Sequence, residues 1–160
     1  MITDAAINID HDVETQIGIV ENALPVARAL GVECPKVAVL SAVENVTDKM
    51  PSTVTAREIA ERGVEGCVIS GPLALDGAIS MESVKHKAIK DPVAGQADIL
   101  LVPFIEIGNV LYKACSYIAG KTMASTICGA SCPVIITSRA DTPDSKYYSI
   151  LMAVLRCLKA

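Results

Sequence analysis

The residue types best suited to chemistry lie near the carboxyl terminus, in the segment TSRADTPDSK at 137–146. An apolar run that ends at this segment predicts a strand delivering Ser138 and Arg139 into a polar loop. Thr142 followed by Pro143 predicts the capped start of a helix. A guanidinium forms paired hydrogen bonds with phosphate, and a helix N-terminus favours an anion. We therefore predict an anion-binding site here; the alternative is a surface loop in which Arg139 forms an ordinary salt bridge.

Two carboxylates, Asp141 and Asp144, lie beside this serine and arginine. Asp144 is also explained without function, because a carboxylate in the first turn complements the helix dipole. The chain has no GxSxG, GxGxxG or P-loop pattern. Its two histidines and widely spaced cysteines do not form a metal-ligand pattern, so we predict no metal site and free thiols.

Weaker candidates for ligand contacts lie elsewhere in the chain. Asp76 closes the Gly-Pro turn GPLALD, where it either hydrogen-bonds the loop backbone or points into a site. Asn109 and Lys113 are one helical turn apart and share a face. That face is either a second anion-contacting surface or simply a helix start with a solvated lysine. His86, between two lysines, is predicted to lie on a helix surface rather than to act as a base.

The elements that position these residues alternate between short apolar runs and longer amphipathic ones, which is typical of a parallel sheet with crossover helices. Strands are predicted at 2–9, 36–41, 66–70, 97–102, 123–128 and 134–137, and helices at about 13–30, 53–62, 80–89, 107–119 and 143–158. Asp10 or Asp12 is predicted to cap the first helix, and Pro25 to kink it or end it early. The ligand site of such a fold lies outside the carboxyl ends of the strands.

Composition limits the classes of function. A chain of 160 residues is one α/β domain by default, and 51% hydrophobic residues with no Trp and a single Phe indicate an aliphatic core. A net charge of −4 and 3% aromatic residues argue against nucleic-acid binding. The chain has neither an apolar run long enough to span a membrane nor a secretory signal, so we expect a cytoplasmic protein.

Seven segments in one order carry a resemblance to a known enzyme family. They are KVAVLSAVE (36–44), KMPST (49–53), GPLALDGAIS (71–80), HKAI (86–89), VAGQADILLVP (93–103), GNVLYK (108–113) and GASCPVIITSRAD (129–141). Together they resemble the phosphate acetyl/butyryltransferase family, nearest its phosphate butyryltransferase branch. The resemblance implies a three-layer α/β/α lobe with a mostly parallel sheet, similar to the second lobe of isocitrate and isopropylmalate dehydrogenases.

The resemblance also implies how the chain is organised. Family members have two lobes with the active site in the cleft between them. Residues 1–160 resemble the C-terminal lobe with its returning helix at 143–158, and the N-terminal lobe is absent. We therefore expect apolar surface to be exposed beside the final helix, and self-association as a homodimer or larger oligomer. The missing lobe is either a separately encoded partner or a part removed by truncation.

The reaction implied is acyl-CoA plus phosphate giving acyl phosphate plus CoA, with butyryl or another short acyl group. Coenzyme A and phosphate then act as substrates rather than bound cofactors, and the acyl group passes directly between them without a metal. Arg139 fits the phosphate and Ser138 the developing oxyanion. The family's base is an Asp shortly after this pair, and Asp144 and Asp141 both remain candidates because the spacing does not align cleanly.

Two other functions stay open. A half-length or regulatory module would bind CoA or acyl phosphate without catalysis, or assemble with a separate N-terminal lobe. A small dehydrogenase domain is disfavoured by the absence of a glycine-rich dinucleotide turn. The sequence departs from the family pattern at Ala88, Gln96, Phe104 and Ile107. Two of these residues, Phe104 and Ile107, are bulky and apolar and would lie at the mouth of the site. They would either reshape the acyl pocket of an active enzyme or indicate that the site has decayed.

Overall fold

The centre of the fold is a four-stranded sheet in the computed structural model, which describes residues 1–158. The strands are β1 (Ile2–Thr3), β2 (Lys36–Leu40), β3 (Val68–Leu73) and β4 (Ile99–Leu101). All of their pairings are parallel, and the order across the sheet is β1-β4-β2-β3. The predicted α/β class with a mostly parallel sheet is confirmed.

Six α-helices and one π-helical turn connect and cover the strands. They are α1 (Val13–Ala29), α2 (Pro51–Arg62), α3 (Leu75–Ile79), α4 (Met81–Lys87), α5 (Ile105–Lys113), the π-helical turn Ala114–Ile118 and α6 (Pro143–Leu158). The helix predicted at 107–119 thus begins two residues earlier and ends in the π-helical turn. None of the helices in residues 1–158 has the length and apolarity needed to cross a bilayer.

The sheet is covered on both faces because alternate strand residues point to opposite sides. Val37 and Val39 of β2 pack with α1 and α2, where Val20 and Ile59 are fully buried. On the other face, Ala38 of β2 belongs to a second cluster that includes residues of α3 and the segment before β4. Three layers result, as the sequence predicts.

In helix α1 the predicted Asp12 cap is confirmed, and of the two effects predicted for Pro25 the early end is wrong. Asp12 caps it, its Oδ1 accepting the N–H of Thr15 at 2.7 Å. Pro25 neither ends the helix early nor prevents the following turn from forming. Leu24 and Val26 on either side of it are 4% and 1% exposed, and the burial of these side chains outweighs the hydrogen bond that a proline removes.

Strand β1 is much shorter than the predicted run of 2–9. It ends at Thr3 because the carboxylate of Asp4 accepts the N–H groups of Ala6, Ile7 and Asn8, at 2.8, 3.1 and 2.8 Å. These bonds fold the chain into a turn, so backbone groups that an extended strand would pair with a neighbour are satisfied locally.

The strands predicted at 123–128 and 134–137 are wrong. Between these segments the structure has one isolated antiparallel bridge, Ile127 to Val134. The N–H groups of Met123 and Ser125 bond instead to the hydroxyls of Ser145 and Ser149 in α6, at 3.3 and 3.0 Å. The segment lies against a helix rather than in the sheet, and its β-type sequence reflects apolar packing alone.

Helix α6 is confirmed over its predicted length, but its apolar face is exposed. Ser145 and Ser149 lie on the buried side, where they accept the N–H groups of Met123 and Ser125, and α6 also contacts α1. Large apolar side chains on the other side are open to solvent: Tyr147, Ile150, Leu151, Val154 and Leu158. The expected exposure of apolar surface beside the final helix is therefore confirmed.

Candidate anion-binding site

The predicted anion site is a loop at the start of α6. Pro143 is the first residue of the helix, and the Thr142 Oγ1 accepts the N–H of Ser145 at 3.2 Å, so the predicted cap is confirmed. Ser138 and Arg139 are exposed immediately before this helix start. A cation, a hydroxyl and a helix N-terminus therefore lie within one short segment, which is a chemistry suited to phosphate.

The two carboxylates of this loop differ in their surroundings. Asp141 is 8% exposed, and its Oδ2 accepts the N–H of Ser138 at 2.7 Å. The N–H of Asp141 donates in turn to the Ser138 carbonyl at 3.1 Å, so the two residues close a tight turn. Asp144 is exposed in the first turn of α6. Of the two candidate bases, only Asp144 presents its carboxylate to solvent.

A tyrosine that sequence analysis did not select also contacts this loop. The hydroxyl of Tyr112, in α5, lies 3.1 and 3.0 Å from the two carboxylate oxygens of Asp141 and donates to them. Burial and the hydrogen bond to Asp141 raise the pKa of Tyr112 to about 12. The phenol therefore stays protonated, and a donor, across the neutral pH range.

Helix α5 is held close to the loop that follows β1. Gly108 lies against the Asp4 carbonyl oxygen, and a side chain at this position would collide with that oxygen and approach the Val102 Cγ2 to 2.9 Å. Asn109 donates from Nδ2 to the Ala5 carbonyl at 3.2 Å. Glycine at 108 is required by this close approach, which sets where Tyr112 lies one turn later.

The predicted Asn109–Lys113 surface is only partly available. Asn109 uses its amide to hold the loop after β1, which favours a structural role. Lys113 is exposed in the last turn of α5, where a cation complements the helix dipole. The structure therefore leaves Lys113 free to meet an anion from solvent, whereas Asn109 is committed to the backbone.

Asp76 is engaged away from the Ser138 loop. Its Oδ1 lies 2.9 Å from the Lys87 Nζ, which is also 3.0 Å from the Glu44 Oε1. The hydrogen bond from Lys87 lowers the pKa of Asp76. Asp76 follows β3, the edge strand opposite β1, so the structure does not join it to the loop at 138–141.

Asp4 is a second residue that sequence analysis missed. Burial alone would raise the pKa of its carboxyl group, but hydrogen bonds from the backbone of Ala6, Asn8 and Ile7 and from the Asn8 side chain lower it. The turn that these bonds form carries the Ala5 carbonyl that Asn109 contacts. The charge of one carboxylate therefore supports the surface on which α5 rests.

Replacing Asp4 with asparagine should destabilise the fold by about 1–3 kcal/mol at neutral pH, because backbone N–H groups lose a charged acceptor. The lowered folded-state pKa means that this stabilisation is complete above the unfolded-state pKa of about 4 and is lost as pH falls through the folded value. Urea denaturation of both proteins between pH 7 and pH 3 measures the difference, which should shrink with acidification. The exposed Asp10→Asn is the control, and a difference independent of pH would contradict this account.

An apolar cavity lies at the carboxyl ends of β2 and β4. Its volume is about 560 Å³, and Phe104, Ile107 and Val110 form part of its wall, with the Ser41 and Ser52 hydroxyls nearby. Those two hydroxyls are hydrogen-bonded to each other at 2.8 Å. The cavity has the position expected for a ligand in an open α/β sheet.

Ser138 and Arg139 do not line this cavity, nor a second apolar one of about 450 Å³ between β1 and the segment 123–128. The pair lies on an open surface rather than in a cleft formed by residues 1–158. Within that range there is also no group of three or more His, Cys, Asp or Glu side chains that could hold a metal ion.

The two residues that sequence analysis missed, Asp4 and Tyr112, differ in whether the sequence alone could have indicated them. Asp4 directly follows a strand, which is a position where sheet-edge ligands and turn-forming carboxylates are common. Tyr112 lies three residues after Asn109 and so shares its helix face, but its partner Asp141 is 29 residues away. A single sequence gives no indication of that contact.

Comparisons with known proteins agree with one another. A sequence profile for the family described as Phosphate acetyl/butaryl transferase matches residues 1–154. The probable phosphate butyryltransferase of Bacillus subtilis (strain 168) is 48% identical over 157 residues, covering 96% of this chain and 52% of the relative. The phosphate butyryltransferase of Clostridium acetobutylicum is 46% identical over 158 residues, again 96% of this chain and 52% of the relative.

A solved structure is similar throughout. The crystal structure of a branched-chain phosphotransacylase from Enterococcus faecalis V583 superposes with a TM-score of 0.93 at 43% identity, covering 99% of this chain and 58% of that one. The chain thus spans about half the length of the curated relatives it matches.

Proposed function

The chain belongs to the Phosphate acetyl/butaryl transferase family, and from that premise we propose that it serves in phosphate acyl transfer. In the proposed reaction, acyl-CoA and phosphate give acyl phosphate and CoA, with butyryl or another short acyl group. The observation that carries the proposal is the exposed Ser138–Arg139 pair at the capped start of α6. Coenzyme A acts as a substrate, and no bound cofactor is required.

The chemistry follows from where charge develops. Attack of a phosphate oxygen on the thioester carbonyl places negative charge on the carbonyl oxygen, so the site needs a cation and a neutral donor. The Arg139 guanidinium holds phosphate in two parallel hydrogen bonds, and the Ser138 hydroxyl donates to the oxyanion. The new carbon–oxygen bond forms as the carbonyl opens to the oxyanion; when the carbonyl re-forms, the carbon–sulfur bond breaks and CoA leaves as the thiolate, which takes up a proton to give the thiol.

We assign the proton-transfer step to Asp144. Its carboxylate is exposed beside the Ser-Arg pair, whereas that of Asp141 is 8% exposed and occupied by two donors. In the direction that consumes acyl phosphate, Asp144 removes the proton from the CoA thiol. A buried carboxylate that already accepts Tyr112 and Ser138 is less accessible to the CoA thiol, and a general base must come within hydrogen-bond reach of the proton it removes.

The exposure of the Ser-Arg pair favours a site completed by more polypeptide. Active sites exclude water around the reacting groups, and residues 1–158 place no wall over Ser138 and Arg139. We propose that the chain is the C-terminal lobe of a two-lobed transferase and that the remaining half closes the site. The exposed apolar face of α6 supports assembly with that half or as a homodimer, and the CoA substrate supports a cytoplasmic location.

The apolar cavity at the carboxyl edge of the sheet is our candidate for the acyl chain. Phe104 and Ile107, both on its wall, are two of the positions where the sequence departs from the family pattern. Bulky apolar side chains there shorten or reshape the space available to an aliphatic group, so we propose that they contribute to chain-length preference.

The proposed function predicts that the purified chain forms acyl phosphate from butyryl-CoA and phosphate, alone or when mixed with the half of the Clostridium acetobutylicum relative that the match does not cover. Release of the CoA thiol and trapping of acyl phosphate as its hydroxamate measure the reaction. Turnover only after mixing would show a site shared between two lobes. The preparation that turns over is called the active preparation below.

The complete Clostridium acetobutylicum relative is the positive control for the assay, and its uncovered half alone is the blank. If neither preparation turned over but CoA still bound, the chain would be a non-catalytic CoA-binding module rather than an enzyme. Absence of turnover and of CoA binding would overturn the proposed function altogether.

A further inference from the structure

We propose that Tyr112 is a positioning residue for acyl transfer, acting through Asp141 to fix the backbone of Ser138. The phenol hydroxyl donates to the carboxylate at 3.0 and 3.1 Å, and the same carboxylate accepts the Ser138 N–H at 2.7 Å. This inference rests on the proposed function, because it concerns the orientation of Ser138 and Arg139 towards phosphate.

The loop has few other ties to the sheet. Within it, the Asp141 N–H donates to the Ser138 carbonyl at 3.1 Å, and the Ala140 N–H reaches the Ser138 hydroxyl at 3.4 Å. Both bonds lie within the turn, so they fix its shape but not its position relative to the rest of the fold. The Tyr112 hydroxyl is therefore the side-chain link that sets the turn relative to α5, which in turn lies against the loop after β1.

The chemistry of the pair also favours a positioning role. Asp141 is 8% exposed, and none of the ion pairs formed by residues 1–158 includes it. A carboxylate removed from water without a cation is costly unless hydrogen-bond donors surround it. Tyr112 and Ser138 supply those donors, and Asp141 holds both in one fixed geometry.

Burial and the bond to Asp141 raise the pKa of Tyr112 to about 12. Tyr112 is thus a donor at every pH at which the enzyme is assayed, and ionisation of the phenol does not switch the contact off. Tyr112 should therefore affect activity through the position of the Ser138 turn, and its phenol should not titrate in the neutral pH range.

Tyr112→Phe removes only the hydroxyl. In the active preparation it should raise the KM for phosphate about tenfold while leaving the KM for acyl-CoA unchanged, because a displaced turn no longer presents Ser138 and Arg139 together. Partial unfolding would instead lower kcat alone, since fewer molecules would be active. Hydrogen exchange of the Ser138 amide should accelerate in the same variant.

Tyr117→Phe is the matched control, since Tyr117 is 60% exposed on the π-helical turn, and it should change neither quantity. Asp141→Asn, which keeps one acceptor oxygen, should fall between wild type and Asp141→Ala in phosphate KM. Faster exchange at Ser138 in Tyr112→Phe with an unchanged phosphate KM would overturn the inference, whereas lack of any turnover by the wild-type preparations would overturn the proposed function instead.

Discussion

Replacing Arg139 with alanine is expected to lower acyl phosphate formation by at least about a hundredfold in the active preparation. The guanidinium is exposed next to the start of α6, so its removal takes away the cation that we propose holds phosphate and should leave the fold unchanged. Steady-state rates with varied phosphate and butyryl-CoA measure the effect. The loss should appear in kcat/KM for phosphate, because phosphate is the substrate that we propose the guanidinium binds.

Two further variants separate charge from geometry at this position. Arg139→Lys keeps the charge but loses the planar fork, and it should recover only part of the activity. Arg57→Ala removes an exposed arginine of α2, which lies beside β3 at the far edge of the sheet, and should be close to wild type. Full activity of Arg139→Ala would remove this loop from the mechanism and leave the family assignment without a located site.

The start of α6 shows what local sequence can establish. Thr142 and Pro143 fix the beginning of the helix through a cap and a fixed φ angle, and both effects act within a few residues. The alternation of side chains between the two faces of β2 is equally local, since neighbouring residues such as Val37 and Ala38 point to opposite sides of any strand. These elements were predictable because neighbouring residues determine them.

The segments at 123–128 and 134–137 show where local sequence fails. Their composition is that of strands, yet the Met123 and Ser125 N–H groups bond to hydroxyls of α6 that are 22 and 24 residues away. Whether an apolar run enters a sheet depends on a partner with free backbone groups, and propensity carries no information about that partner. The same limit applies to β1, which the Asp4 carboxylate ends after two residues.

The two carboxylates of the loop illustrate the limit for the site. Sequence places Asp141 and Asp144 three positions apart and offers no reason to prefer either as a base. The structure separates them, because a tyrosine 29 residues earlier occupies Asp141, while Asp144 stays in solvent at the helix start. A residue's availability for chemistry depends on what else contacts it, and these contacts are long-range.

Asp144→Asn is expected to reduce CoA-dependent consumption of acyl phosphate by about 10²–10⁴-fold, because no ionised carboxylate remains to take the thiol proton. Its effect on the free energy of unfolding should stay within about 1 kcal/mol, since an exposed first-turn carboxylate contributes through the helix dipole alone. Steady-state rates of acyl phosphate consumption and urea denaturation measure the two quantities. The rate loss without loss of stability is what a proton-transfer role predicts, whereas a structural role would lower both.

Asp141→Ala should show the opposite balance. It leaves the Tyr112 hydroxyl and the Ser138 N–H without their acceptor and should cost about 1–3 kcal/mol of stability, while turnover at saturating substrate persists because Asp144 is intact. Weaker phosphate binding accounts for whatever activity is lost. If Asp144→Asn retained the wild-type rate while folded Asp141→Ala lost turnover even at saturating substrate, the proton would pass through the buried carboxylate, and the exposure of Asp144 would not identify the base.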